Sequence, residues 1–391
     1  MRFAERLESA KSSVIRDILK LLDKKGLISF AGGLPAEELF PVKDIARCAK
    51  EVLEAPRAHA LQYSISEGLP ELRGALCKFL SGYHLNVKPE NLLITSGAQQ
   101  GLDLVGKLFL DKNSFVFLEE PSYLGALQAF NVYQARYKSI PMDKNGMNIS
   151  LLKKELKAIR PSFIYTIPDF QNPTGITLSL SRRRELIGLA SRYNIPVVED
   201  SPYSMIRFEK SFLPSLKKLD KKGLVISLGS FSKIVSPGLR LGWVCAAPEI
   251  ISKLLLFKQA SDLHCSTLNQ KIVARYLATA PINRHIRAVT LKYKQRRDLM
   301  LKCIKKYFPP KCKVIKPEGG MFIWVEMPEA LDAGFLLKRC VENNVAYVPG
   351  SVFYNSEKGK NTVRLNFSNS SLKEIELGIK KLGSLFANEL K

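Results

Sequence analysis

Short apolar runs alternate with helix-length amphipathic segments through the middle of the chain. The runs carry almost no polar alternation, which is typical of strands that are buried on both faces of a sheet. Strands are predicted at "NLLIT" (91–95), "SFVFL" (114–118), "SFIYTI" (162–167), "IPVVE" (195–199), "GLVISL" (223–228) and "RLGWVCA" (240–246). Helical stretches such as "QQGLDLVGKLFL" and "SRRRELIGLASRYN" lie between several of them. This order predicts an α/β fold, in which a mainly parallel sheet is covered by helices as a three-layer α/β/α domain.

The pattern changes in the last third of the chain. It turns helical from about residue 250 to about residue 308 and then becomes mixed, with strand-like "GMFIWVEM" (320–327), "VAYVPG" (345–350) and "TVRLNFS" (362–368). The change predicts a second, smaller α+β domain. We expect an N-terminal segment at 1–45 that contributes to the small domain, a large domain at 46–285 and a C-terminal small domain at 286–391.

Charge raises the question of a polyanionic partner. The chain has 60 Lys and Arg against 36 Asp and Glu, a net charge of +24, and such a charge can attract nucleic acid or an anionic membrane. The basic residues are however scattered through the helical segments among acidic ones, and no nucleic-acid-reading motif accompanies them. We therefore expect no nucleic-acid partner and a basic field that attracts small anionic substrates.

Cysteine usage and the N-terminal sequence bear on location. The seven cysteines are odd in number and form no CxxC pair, which predicts reduced cytosolic thiols. The polar start "MRFAERLESAKSS" lacks a signal-peptide pattern, and no apolar stretch is long enough to span a bilayer. We expect a cytoplasmic protein without a membrane partner. No metal is expected, because the histidines at 59, 84, 264 and 285 lack metal-site spacing.

Unusual polar residues follow five of the predicted strands, and ligands of open parallel sheets bind at the carboxyl ends of strands. Each of these residues also has an ordinary structural interpretation, such as a tight turn, packing, a helix cap or a surface cation. The small-residue turn at 96–99 opens a helix, whose free N–H groups can form an anion site. At the other strand ends lie Tyr123, Asn172, Asp200 with Tyr203, and the stretch "SLGSFSKIVSPGLRLGWV" around Lys233.

One cofactor needs these residue types together. Pyridoxal phosphate requires a lysine that reacts with its aldehyde and a carboxylate beside its ring nitrogen. Its phosphate suits a helix N-terminus with hydroxyls and an arginine. A partly desolvated lysine near other cations has a lowered pKa, which makes it a usable nucleophile and base.

The sequence resembles the fold-type I pyridoxal-phosphate aminotransferases of class I/II, over essentially the whole chain. The marks are "NPTG", "VVEDSPYS" and "SLGSFSKIVSPGLRLGW", in the family's order. The resemblance is greatest to the group of 2-aminoadipate, kynurenine and aromatic aminotransferases, through "ISFAGGLPAEELFP", "LQYSISEGLPELR" and "GGMFIWVEM". It implies an aspartate aminotransferase-like fold with pyridoxal 5'-phosphate as the cofactor.

The resemblance also implies roles around the cofactor ring. Lys233 would bind the cofactor covalently and move the proton, and Asp200 would pair with the ring nitrogen. Asn172 and Tyr203 would contact the ring oxygen, and Tyr123 would stack on the ring.

Further residues are implied for the phosphate. Tyr63 would reach the phosphate of the neighbouring subunit, which implies a homodimer. Within one subunit the phosphate would be held by Gly97, Ala98, Gln99, Ser230, Ser232 and Arg240.

Substrate contacts are implied as well. Arg364 in "NTVRLNFS" matches the arginine that binds the substrate α-carboxylate, for which its planar fork is suited. Gly33, with the glycine before it, matches the pair in the N-terminal segment that closes over the substrate. Arg16 matches an arginine that recognises a distal carboxylate in 2-aminoadipate-type enzymes, and Ser13, one turn earlier on the same predicted helix, would share this role.

The function implied is ping-pong transamination between an amino acid and a 2-oxo acid, usually 2-oxoglutarate with glutamate. The donor would be 2-aminoadipate, an aromatic or an aliphatic amino acid. Two alternatives stay open from the sequence: a pyridoxal-phosphate-dependent lyase on the same fold, which uses the same Lys233 and Asp200, and a non-catalytic basic binding or regulatory protein.

Overall fold

The structure is a computed structural model that describes residue 1, residues 3–9 and residues 26–390. Within these residues the strands are β1 (Ile28–Ser29), β2 (Leu92–Thr95), β3 (Phe115–Glu120), β4 (Arg136–Asp143), β5 (Gly146–Met147), β6 (Phe163–Thr166), β7 (Val197–Asp200), β8 (Val225–Ser230), β9 (Gly242–Cys245), β10 (Lys313–Ile315), β11 (Phe322–Glu326), β12 (Val345–Ala346), β13 (Val348–Pro349) and β14 (Thr362–Asn366). The helices are α1 (Val42–Leu53), α2 (Pro70–Ser81), α3 (Ala98–Phe109), α4 (Leu124–Asn131), α5 (Ile149–Glu155), α6 (Leu180–Tyr193), α7 (Leu216–Leu219), α8 (Pro248–Asp262), α9 (Thr267–Thr279), α10 (Ile282–Tyr307), α11 (Ala333–Glu342) and α12 (Leu372–Glu389).

The predicted apolar runs form one large sheet with the order β2-β9-β8-β7-β6-β3-β4-β5. Strands β8, β7, β6, β3 and β4 run parallel, so the mainly parallel sheet is confirmed. Strand β9 instead runs antiparallel to both of its neighbours, β2 and β8. The reason is the connection, because β8 returns to β9 through short turns rather than through a helical crossover.

Side chains of the central strands alternate between two helical layers. One face packs against α3, α4 and α8, and the opposite face packs against α5, α6 and α7. The three-layer arrangement follows from this alternation, because each strand must bury apolar side chains on both sides. On the α3 side lie Phe163, Tyr165, Val198 and Ile226, whereas Ile164, Val197 and Val225 lie on the α5 side.

A smaller antiparallel sheet follows, with the order β10-β11-β14-β13. Its apolar side chains form one core with α10 and α12, which confirms the α+β character of this part. The N-terminal strand β1 pairs in parallel with β12, with Ile28 opposite Val345. Helix α10 runs across the expected boundary at 285/286, and the domain limits given above stay a prediction.

Local sequence sets the start of the helices. Helix α12 begins with a capping box, in which Ser371 Oγ accepts from the Glu374 amide at 3.2 Å and Glu374 Oε2 accepts from the Ser371 amide at 2.7 Å. Its buried face then carries Ile375, Ile379 and Leu382 at helical spacing. None of the helices within the described ranges combines the length and the apolarity needed to cross a membrane.

Candidate active site

The carboxyl ends of β6, β7 and β8 and the N-terminus of α3 surround a cavity of about 330 Å³. Strand β14 and the segment after β1 close its other side. Most of the residues predicted from the sequence meet here, although they are far apart along the chain. Among the lining residues are Gly33, Ala98, Gln99, Tyr123, Asn172, Asp200, Tyr203, Ser230, Ser232, Lys233, Arg240 and Arg364.

The remaining predicted residues have other positions. Gly97 borders the cavity through Arg240, because a Cβ atom on Gly97 would lie 2.8 Å from Arg240 Nη2. Tyr63 is not among the lining residues; its side chain is 79% exposed and its ring lies 5.8 Å from that of His264. Arg16 and Ser13 lie outside the described residues.

Lys233 follows β8 on a short 3-10 turn that begins at Phe231. Ser230 caps this turn, since its hydroxyl oxygen accepts from the Ser232 amide at 3.1 Å. The Lys233 Nζ donates to the Gly33 carbonyl oxygen at 2.9 Å. Removal from water and the nearby positive charges of Arg240 and Arg364 lower the pKa of Lys233 to about 8. A substantial fraction of this amine is therefore neutral near physiological pH.

Asp200 ends strand β7 and is only 2% exposed. Its Oδ2 accepts a hydrogen bond from the Tyr165 hydroxyl at 2.9 Å. Its Oδ1 has no hydrogen-bond partner among the described residues, although it is buried. Burial raises the pKa of Asp200 to about 7, and the Tyr165 hydrogen bond opposes that rise. The carboxyl group thus keeps one buried oxygen available for a donor in the cavity.

The N-terminus of α3 faces the other end of the cavity. Gly97 precedes the helix with φ of +79°, a left-handed conformation that glycine adopts without strain. Arg240 Nη2 donates to the Ser96 carbonyl oxygen at 3.2 Å, which brings a guanidinium to the start of the helix. The free amides and dipole of a helix N-terminus, together with an arginine, form a site for an anion.

Arg364 lies on β14 and is 1% exposed. Its Nη1 donates to Asn172 Oδ1 at 2.9 Å, and its Nη2 donates to the Ala31 carbonyl oxygen at 2.7 Å. The guanidinium carbon lies over two aromatic rings, at 4.3 Å from the centroid of Phe322 and 5.0 Å from that of Phe353. Its Nε is buried without a partner among the described residues, and desolvation lowers the pKa of the group to about 10. The two acceptors named above are neutral oxygens, so this buried positive charge suits an anionic ligand.

Three residues of the site were missed from the sequence. Tyr165 lies inside the apolar run "FIYTI" and is hidden there as one more strand residue. Phe322 and Phe353 are ordinary aromatic residues of the small domain until Arg364 is placed between them. The hydroxyl of Tyr165 within a fully buried strand was the only available signal, because a buried hydroxyl needs a hydrogen-bond partner.

The residues present fit pyridoxal 5'-phosphate. The unpartnered Asp200 Oδ1 suits the protonated ring nitrogen of that cofactor. The anion site at α3 suits its phosphate, and the Lys233 amine with its lowered pKa suits its aldehyde carbon. Asp200, Lys233 and the start of α3 line or border the same cavity, so one small molecule can contact all three.

Comparisons with known proteins agree with this geometry. The family model "Aminotransferase class I and II" matches residues 26–382. Aromatic-amino-acid aminotransferase 1 of Thermococcus litoralis is 42% identical over 395 residues, covering 100% of this chain and 95% of that protein. The 2-aminoadipate transaminase of Thermus thermophilus is 41% identical over 376 residues, covering 95% of this chain and 93% of its own length.

A solved structure extends the match to the backbone and to the cofactor. Kynurenine aminotransferase of Pyrococcus horikoshii, crystallised with PMP, the amino form of the cofactor, superposes with a TM-score of 0.95 at 41% identity, covering 100% of this chain and 98% of that one. Pyridoxal 5'-phosphate is accordingly the cofactor of this protein. The chain belongs to the class I and II aminotransferases.

Proposed function

We propose that this aminotransferase moves an amino group from 2-aminoadipate, an aromatic or an aliphatic amino acid to a 2-oxo acid, with 2-oxoglutarate and glutamate as the second pair, in a ping-pong reaction. The relatives from Thermococcus and Thermus, an aromatic-amino-acid aminotransferase and a 2-aminoadipate transaminase, support the aromatic and 2-aminoadipate donors. The observation that carries the proposal is the placement of Lys233, Asp200 and Arg364 around one cavity. Lys233 and Arg364 would then act on one substrate, while Asp200 would pair with the cofactor ring.

Several residues are proposed to hold the cofactor. When bound, pyridoxal 5'-phosphate supplies a carbonyl carbon that joins to amino groups and a ring that withdraws electrons from the substrate α-carbon. Asp200 would accept from the ring nitrogen, Asn172 and Tyr203 would bind the ring oxygen, and Tyr123 would pack on the ring. The residues that would hold the phosphate lie at the start of α3 and beside Lys233: Gly97, Ala98, Gln99, Ser230, Ser232 and Arg240.

Lys233 is proposed as the residue that holds the cofactor covalently and moves the proton. With the cofactor and substrate bound, the neutral Nζ of Lys233 would take a proton from the substrate α-carbon and later release it. A pKa of about 8 suits both steps, because the group gains and loses a proton near physiological pH.

Arg364 is proposed to bind the substrate α-carboxylate. The rings of Phe322 and Phe353 hold its guanidinium plane, so that its remaining donors have a fixed direction. Gly33 belongs to the segment proposed to close over the substrate, and it already contacts Lys233. Recognition of a distal carboxylate by Arg16 and Ser13 stays a prediction, because both residues lie outside the part of the chain that the structure describes.

A homodimer is part of the proposal. Tyr63 is exposed together with Leu61 and Ile65, which are 70% and 45% exposed. An apolar surface of this kind is typical of a protein contact, and we propose that Tyr63 reaches the phosphate site of a second copy. A cytoplasmic location, expected from cysteine usage, completes the proposal.

The assignment of Lys233 is tested by borohydride reduction of the cofactor-loaded protein, followed by peptide mass analysis. We expect the cofactor to be fixed on Lys233 in the natural protein and absent from this peptide in Lys233→Ala. Lys218→Ala, an exposed lysine on α7, is the control and should leave the attachment unchanged. Attachment at another lysine in the natural protein would contradict the assignment.

A further inference from the structure

Tyr165 lies on the strand next to Asp200. In the parallel pairing of β6 with β7, Tyr165 stands opposite Val198. Side chains two residues apart on a strand share one face, so Tyr165, Val198 and Asp200 face the same layer. A diagonal pair of this kind is within reach of a tyrosine side chain. The 2.9 Å hydrogen bond from the Tyr165 hydroxyl to Asp200 Oδ2 is therefore a product of the strand register.

The surroundings of Tyr165 keep its hydroxyl protonated, so that it acts as a hydrogen-bond donor. The side chain is fully buried, and its ring lies 5.8 Å from that of Phe130 at an angle of 79°. Burial and the neighbouring carboxylate raise the pKa of Tyr165 far above the usual range for tyrosine. The hydroxyl is consequently protonated at all working pH values and donates to Asp200.

We infer that Tyr165 is a positioning residue for the cofactor ring: its hydroxyl occupies Asp200 Oδ2 and directs Asp200 Oδ1 toward the ring nitrogen. This inference rests on the ring-nitrogen role proposed for Asp200. Two facts support it. Oδ2 accepts from Tyr165, whereas Oδ1 is buried without a partner among the described residues. A carboxylate without this donor could rotate about its Cβ–Cγ bond, so the Tyr165 hydrogen bond fixes the orientation of the carboxylate plane.

The hydrogen bond also acts on the charge of Asp200. Burial raises the pKa of the carboxyl group to about 7, and the Tyr165 hydrogen bond lowers it. Pairing with a protonated ring nitrogen needs the carboxylate form of Asp200, so cofactor affinity falls as the pH decreases through this pKa. Loss of the Tyr165 hydroxyl moves the decline to higher pH. The other titratable groups that face Asp200 or share its cavity are Tyr123, Tyr203, Lys233, Arg240 and Arg364.

The test is cofactor binding to Tyr165→Phe, which removes one oxygen atom. Equilibrium binding is measured from about pH 6 to about pH 9 with pyridoxal 5'-phosphate and with its deaza analogue, which has a C–H in place of the ring nitrogen. We expect the dissociation constant for pyridoxal 5'-phosphate to rise about tenfold at neutral pH, about 1.4 kcal/mol, with its pH midpoint moved upward. The analogue should bind both proteins with nearly equal affinity.

Tyr347→Phe is the matched control. Tyr347 is also fully buried, and its hydroxyl donates to the Ala333 carbonyl oxygen at 2.7 Å in the small domain. Both variants lose one buried hydrogen bond, so a similar fall in thermal midpoint is expected for each. Only Tyr165→Phe should change the affinity for pyridoxal 5'-phosphate and the pH midpoint of binding.

A double-mutant cycle with Asp200→Asn separates this inference from the proposed function. If Tyr165 acts through Asp200, Tyr165→Phe has no further effect on cofactor affinity in the Asp200→Asn background. The positioning role alone would be overturned by any of three results for Tyr165→Phe. These are an equal loss of affinity for the cofactor and its deaza analogue, an unchanged pH midpoint of binding, or an effect on affinity that adds to that of Asp200→Asn. Unchanged affinity in Asp200→Asn itself would instead remove the ring-nitrogen role of Asp200.

Discussion

The Nζ of Lys233 lies 2.9 Å from the carbonyl oxygen of Gly33. This contact joins the end of a central strand in the large sheet to the segment that follows β1. The segment that is proposed to close over the substrate therefore touches the proposed reactive amine directly. Two arginines act on the same amine from other elements, Arg240 from the turn before β9 and Arg364 from β14.

The first prediction concerns the pKa of Lys233. Its value of about 8 arises mainly from burial and then from the charges of Arg240 and Arg364. Arg364→Gln removes one positive charge, so the pKa of Lys233 should rise and the neutral fraction of the amine at neutral pH should fall. The measurement is the pH dependence of dinitrophenylation of Lys233 in cofactor-free protein, followed by peptide mass analysis.

A distant arginine provides the comparison for this titration. Arg339 is paired with Glu389 on the surface of the small domain, and Arg339→Gln should leave the Lys233 profile unchanged. The same profile in Arg364→Gln as in the natural protein would show that Arg364 does not act on this amine.

The second prediction concerns the turn before α3. At Gly97 a side chain would meet a φ of +79° and the Arg240 guanidinium at 2.8 Å. Gly97→Ala should therefore displace Arg240 and strain the turn, at a cost of about 1–3 kcal/mol, and weaken cofactor binding through the phosphate. Isothermal titration with pyridoxal 5'-phosphate measures this change.

Gly188 offers a matched substitution within α6. A Cβ atom there meets nothing within 4 Å, and alanine is favoured over glycine inside a helix by about 0.5–1 kcal/mol. Gly188→Ala should keep cofactor affinity and raise the free energy of unfolding slightly. Equal cofactor affinity in the two variants would contradict the phosphate role of the α3 turn.

The third prediction concerns stability near the loop that carries Asn172. Asp169 is buried and accepts from Arg183 at 2.8 Å and from Arg207 at 2.9 Å. Asp169→Asn removes the carboxylate that Arg183 and Arg207 share, and among the described residues only Arg207 keeps another, Glu318 at 3.4 Å. The free energy of unfolding should therefore fall by about 3 kcal/mol. Urea unfolding measures this loss.

A more exposed ion pair serves as the comparison for Asp169. The side chain of Asp143 is 51% exposed and pairs with Arg182, so Asp143→Asn should cost less than about 1 kcal/mol. Similar losses of unfolding free energy in both variants would show that burial does not determine how much these two ion pairs stabilise the protein.

The sequence predicted the central sheet well because its strands are buried on both faces. Such strands must be continuous apolar runs, and their carboxyl ends must meet at one edge. The positions of Asn172, Asp200 and Lys233 around one cavity follow from that rule. Strand β4 was missed because it carries Arg136 and Lys138 and lies near the sheet edge, with only the two-residue β5 beyond it.

Other features of the fold and the site depend on contacts between segments that are distant in the sequence. The apolar pattern of one strand carries no information about such contacts. The antiparallel direction of β9 depends on the path of the turn after Lys233. The stacking of Arg364 on Phe322 needs the pairing of β11 with β14. The donor to Asp200 comes from the neighbouring strand, so Tyr165 becomes a site residue only when the register of β6 and β7 is known.

Transamination through Lys233 is tested by the transfer of a labelled nitrogen from donor to acceptor. The loaded protein is given 2-oxoglutarate with ¹⁵N-labelled 2-aminoadipate, phenylalanine or leucine, and glutamate is analysed by mass spectrometry. We expect ¹⁵N-glutamate in equal amount to the new 2-oxo acid for at least one donor, and no ¹⁵N-glutamate in Lys233→Ala. Release of labelled ammonia without labelled glutamate, or no product from any donor, would contradict it.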